Sequence, residues 1–72
     1  MYYQKIIKEI VADMEVDADD RTIAGIEANM RLEHGTLDAL PRDLFRREIR
    51  LALECEDLQP GYLRKLAASF GL

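Results

Sequence analysis

Five carboxylates fall within eight residues, at Asp13, Glu15, Asp17, Asp19 and Asp20. Acids at alternate positions are the spacing of a calcium loop, whose oxygens converge on one cation. The rest of that pattern is missing. Counting Asp13 as the first position puts Ala18 where a glycine makes the sharp turn and Ala24 where a bidentate glutamate closes the shell. Counting from Glu15 or Asp17 puts Ile26 or Ala28 at that closing position. No metal site is expected. The stretch reads instead as a solvated turn whose last acids favour the positive N-terminal end of a following helix. Asp13, Glu15 and Asp17 remain candidates for an acidic contact with a basic partner.

A second charged group is basic. Arg42, Arg46 and Arg50 recur at i, i+4 and i+8, which on a helix makes one stripe of guanidiniums with Arg47 flanking it. Guanidinium forks match the oxygens of carboxylates and phosphates. The competing reading is a plain solvated face in which Asp43 pairs with Arg47, or Arg46 with Glu54 across two turns, and such pairs contribute little. Because arginine is enriched at the energetic centres of interfaces, these four residues are candidate partner-binding groups. Tyr2 joins them: only Tyr3 fits the apolar stripe of its segment, which leaves the Tyr2 ring free for a contact.

Covalent and cofactor chemistry find little support. His34 is the one histidine and Cys55 the one cysteine, and they fall on different expected helices with no third residue to orient a nucleophile pair. Glu54 and Glu56 surround Cys55, the opposite of the electropositive setting in which thiolates form. No Gly-rich phosphate loop, His-x-x-x-His or Cys-x-x-Cys spacing occurs. Neither catalysis nor a cofactor is expected, since a substrate pocket is hard to build in so small a core.

The elements that must carry these groups are helical. Tyr3, Ile6, Ile7, Ile10, Val11 and Met14 mark one apolar face, predicting a helix from Tyr2 to Met14. Asp19 or Asp20 caps a second helix that carries Ile23, Ile26 and Met30 and stops near His34, before Gly35. Leu37 and Leu40 plug the core from the connection. Pro41 suits the first position of a third helix lined by Phe45, Ile49, Ala52 and Leu53, with Leu44 and Leu51 widening that face. Pro60 and Gly61 then open a last helix holding Leu63, Leu66, Ala67 and Phe70, closed by Gly71 and Leu72. Nothing alternates as a strand does. The expected fold is all-α, a compact bundle of four short helices, with residues 1–72 as a single domain.

The segment Tyr62 to Leu72, YLRKLAASFGL, resembles the first helix and turn of a helix-turn-helix unit, with Leu-Ala followed by an aromatic-Gly-aliphatic step. The resemblance covers those residues and stops before the recognition helix that would enter the major groove. Taking helices three and four as the unit instead would put Arg64, Lys65 and Ser69 on the groove-facing helix.

Composition weighs against that reading. The net charge is -4, whereas generic nucleic-acid affinity comes mostly from neutralising phosphates. Charge is also uneven: residues 1–20 carry two Lys against six acids, and residues 41–50 carry four Arg against Asp43 and Glu48. The apolar residues near the N-terminus are interrupted by Lys5, Lys8, Glu9 and Asp13, so neither a signal-peptide core nor a membrane span is expected. With no disulfide possible within the chain, a reducing, cytoplasmic setting follows. The expected role is a small acidic protein-binding module, an accessory factor or inhibitor of a larger protein assembly. Phage and mobile-element inhibitors of host machinery, anti-CRISPR proteins among them, are of this size and charge, an analogy that no motif carries. The alternatives are a small dimeric nucleic-acid-binding or transcription regulatory protein, and a structural homodimer joined through Leu32, Leu44 and Leu51.

Overall fold

The computed structural model describes residues 2–72, with side chains from residue 3 onward. Its elements are α1 (Tyr2–Asp13), α2 (Asp20–His34), α3 (Arg42–Leu58) and α4 (Tyr62–Ser69), and no strand occurs among the described residues. The four helices form one all-α globule of 28 × 26 × 20 Å.

In α1 the residues facing inward are Ile7, Ile10 and Val11, with Tyr3, Ile6 and Met14 packed at the margin. The helix ends on an unusual residue. Glu15 takes φ 59°, a left-handed conformation normally left to glycine, while Val16 N–H reaches back to Val11 C=O at 3.3 Å and Glu15 N–H to Ala12 C=O at 3.0 Å. That turn delivers the chain to Asp19, whose Oδ1 accepts from Thr22 N–H at 2.8 Å and starts α2 as its side-chain cap.

Helix α2 is the centre of the bundle and touches α1, α3 and α4. It buries an unbroken run from Ile23 to Ala28 and then Met30. Gly25 permits the closest of these approaches: a Cβ there would lie 2.1 Å from the Leu63 carbonyl oxygen, so the α4 backbone rests directly on α2. Gly35, at φ 74°, ends the helix and donates to Arg31 C=O at 2.7 Å. In the connection Leu37 is buried and Leu40 half-buried, filling the core as expected.

Pro41 stands one residue earlier than expected, as the extended N-cap of α3 and not its first helical residue; its carbonyl accepts from Leu44 and Phe45 N–H at 3.1 Å. Phe45, Ile49 and Ala52 are buried beneath α3. Leu51 does not widen that face: it points outward and is 45% exposed. The start of α4 is held by α3, because Glu56 accepts from Gly61 N–H and Leu63 N–H, each at 3.2 Å. Leu63 and Ala67 are the buried residues of α4. Phe70 falls just past the helix expected to hold it, as its C-cap, and is 41% exposed. Gly71, at φ 73°, and Leu72 close α4 as expected, with Leu72 N–H bonded to Ala67 C=O at 2.9 Å.

Candidate docking surface

Helix α3 carries the candidate surface because most of it is not needed by the core. Of its 17 residues, only Phe45, Ile49 and Ala52 are fully buried, which leaves two outward flanks. One flank holds Arg42, Arg46, Arg47 and Arg50, all exposed. None of the four forms an ion pair or a side-chain hydrogen bond among the described residues, so the pairs Asp43–Arg47 and Arg46–Glu54 that the spacing allows are not made. Arg46, Arg47 and Arg50 border, with Asp43, a shallow open depression of about 280 Å³.

Four of the other six cations are occupied, while Lys5 and Lys65 form no ion pair among the described residues. Lys8 meets Asp20 at 2.8 Å, Arg64 pairs with Asp19, and Arg21 donates to the Leu72 carbonyl oxygen. Arg31 joins a buried network that the sequence did not announce. Glu27, fully buried, accepts from Gln4 Nε2 at 2.9 Å and from Arg31 Nη2 at 3.0 Å, and the Arg31 guanidinium also lies over the Tyr3 ring at 5.6 Å. Both carboxylate oxygens are thus satisfied, which a buried charge requires. The available signal was the i, i+4 spacing of Glu27 and Arg31, a pattern that ordinarily marks a surface pair.

The acidic candidates divide by role. Asp13, Glu15 and Asp17 are exposed and without ion-pair partners, but Glu15 also occupies the left-handed turn position described above. Asp19 is a structural cap: the Thr22 N–H, then the Thr22 side chain and the Arg64 guanidinium, hold its carboxyl below the usual range. No cluster of three His, Cys, Asp or Glu side chains able to hold a metal ion occurs among the described residues. The side chain of Tyr2 lies outside the described residues; its helical backbone opens α1.

The second flank of α3 faces an open groove of about 460 Å³ beside α2, bordered by Asn29, Glu33, Glu48, Leu51, Cys55 and Leu58 among others. Tyr62 helps close its end and donates from its hydroxyl to Asn29 Oδ1 at 3.1 Å. His34 Nε2 stands 3.6 Å from Glu48 Oε2, too far for a hydrogen bond, and Cys55 is exposed as a free thiol. On the helix that the helix-turn-helix resemblance would make groove-facing, Arg64 pairs with Asp19, and that helix packs chiefly on α2. No helix among the described residues is long and apolar enough to cross a membrane.

No protein-family model, curated protein or solved structure matches the chain.

Proposed function

We propose that this chain is a protein-binding module that docks on an acidic surface of a larger assembly through Arg42, Arg46 and Arg50, acting as an accessory factor or inhibitor and not as an enzyme. The supporting observation is the unpaired state of those guanidiniums in a chain whose acids outnumber its bases by 14 to 10. Intramolecular carboxylates are plentiful and Asp43 borders the same depression, yet none pairs with these arginines among the described residues. Guanidiniums left in water lose little by staying there and gain charge-assisted, bidentate bonds when carboxylates arrive from a partner. The exposed acids Asp13, Glu15 and Asp17 add a field of opposite sign that orients the encounter. A reducing cytoplasm suits the free Cys55 thiol.

Phosphates would satisfy the same arginines, so a nucleic-acid target is the second reading, opposed by the net charge of -4. The two separate in one experiment. Tagged protein and its Arg46→Glu/Arg50→Glu variant are used to retain partners from a native lysate, with and without nuclease, and washed at low and high salt. A stoichiometric protein that survives nuclease and is lost with the variant supports docking. Retention that disappears on nuclease treatment discards it for the nucleic-acid reading, and retention equal in the variant removes the arginine flank from the account.

A further inference from the structure

The second flank of α3 has a spacing that the first does not. Leu44, Leu51 and Leu58 recur at intervals of seven, with Glu48 and Cys55 between them, so the five residues follow the four-three alternation of a helix-pairing seam. Most of the seam is open to solvent: Leu51 is 45% and Leu58 82% exposed and Cys55 is exposed, while Leu44 is half-covered and the Glu48 side chain, 12% exposed, faces His34. Single exposed leucines are ordinary, but two in register along one helix, continued by the half-covered Leu44, make an apolar surface that another helix can cover.

The charges beside the seam select its occupant. Arg47 and Glu54 lie on one border, four residues before and three residues after Leu51; Glu48 and Cys55 lie on the other, three before and four after. A twofold axis at Leu51, with a second α3 running antiparallel, therefore brings Leu44 to the partner copy's Leu58 and Leu51 to its equivalent. It also brings Arg47 to the opposite Glu54 twice, and Glu48 to the opposite neutral Cys55 twice. Every charged residue of the seam then meets an opposite charge or none. A parallel pairing would instead set Arg47 against the border of Glu48, whose carboxylate is largely covered and faces His34, and Glu54 against Cys55, so that no Arg47–Glu54 pair forms. We infer that this chain associates with a second copy of itself through an antiparallel α3 pair centred on Leu51.

Such an interface is isologous, the same patch serving both copies. It leaves Arg42, Arg46 and Arg50 outside the contact, so a dimer displays the arginine flank twice and the inference stands whether or not that flank is the docking surface.

The test is site-specific oxidation of the full chain followed by denaturing electrophoresis without reductant. In a Cys55→Ser background, Leu51→Cys places two thiols at the twofold and is expected to cross-link most of the protein as a dimer. Leu58→Cys in the same background puts its thiols about 20 Å apart along the helix pair, at 1.5 Å of rise per residue, and is expected to remain uncrosslinked. Efficient cross-linking through the native Cys55, or of Leu58→Cys in preference to Leu51→Cys, would overturn the antiparallel arrangement. Sedimentation equilibrium supplies the charge test. Arg47→Glu is expected to weaken association about tenfold, two attractions becoming two repulsions, and Arg47→Glu/Glu54→Arg to restore it. A monomeric mass for the unaltered chain at every concentration, or no rescue by the double reversal, would overturn the inference. Residues 47 and 54 are exposed, so neither change depends on refolding a core.

Discussion

Helices α2 and α3 are nearly equal in length, 15 and 17 residues, and are used in opposite ways. Helix α2 buries seven residues, including the carboxylate of Glu27, and is approached to backbone contact at Gly25. Helix α3 buries three and leaves four arginines and the Leu51 and Leu58 side chains in solvent. Apolar area removed from water and buried polar groups that must be satisfied both concentrate on α2, so that helix determines whether the chain folds. Helix α3 holds the bundle with one narrow stripe. Its remaining surface is free to vary or to bind.

The sharpest way to break the contrast is to disturb α2 where it has no slack. Gly25→Val has no room beside the Leu63 backbone, and neither partner is a flexible side-chain end. The expected loss is about 3 kcal/mol, roughly 15 °C in Tm for a domain of this size, read by thermal circular dichroism. A smaller loss follows from Arg31→Ala, which leaves the buried Glu27 carboxylate with Gln4 alone. About 2 kcal/mol is expected in denaturant titration, less than for a fully enclosed pair because Arg31 itself is partly exposed. Arg31→Ala should therefore cost more than any single arginine of α3.

The junction between α1 and α2 sharpens the contrast in the other direction. Glu15→Gly relieves a left-handed non-glycine residue at φ 59° while adding freedom to the unfolded chain. A net stabilisation of about 0.5 kcal/mol is expected in the same titration. Partner retention by that variant then tests whether Glu15 serves anything beyond its turn. The smallest effect belongs to Asp19. Its carboxyl is held below the unfolded value by Thr22 and Arg64, so it contributes stability that is present above the unfolded pKa and lost as pH falls through the folded one. Asp19→Asn keeps an acceptor for the cap and is expected to flatten that part of the acid limb of Tm against pH.

Much of the architecture was legible because its signals are local. Isoleucine spacing marked α1, an acid before Thr22 marked the start of α2, Gly35 marked its end, and Pro60-Gly61 marked the turn into α4. What escaped depends on partners distant in the chain. A helix covered from several sides loses its polar face, and nothing local sets Glu27 apart from the exposed acids, because its partner Gln4 comes from α1. Gly25 was a visible irregularity in mid-helix, a signal of close approach, but only the position of Leu63 gives it a reason. Leu51 and Phe70 were misplaced because α3 carries two apolar stripes and α4 is too short to reach Phe70; periodicity counts apolar residues without saying which stripe the core takes. The stripe of arginines was legible in full, whereas their lack of partners was not, since the sequence offers Asp43, Glu48 and Glu54 within reach.

Whether those arginines are free of the fold is read from the unfolding free energy of the Arg42→Gln/Arg46→Gln/Arg50→Gln chain beside the unaltered one. If the arginine flank is surplus to the fold, the two agree within about 0.5 kcal/mol per site, as for exposed residues without contacts. A loss of several kcal/mol would mean that these arginines hold the bundle together, and the surface assigned to docking would belong to the fold instead.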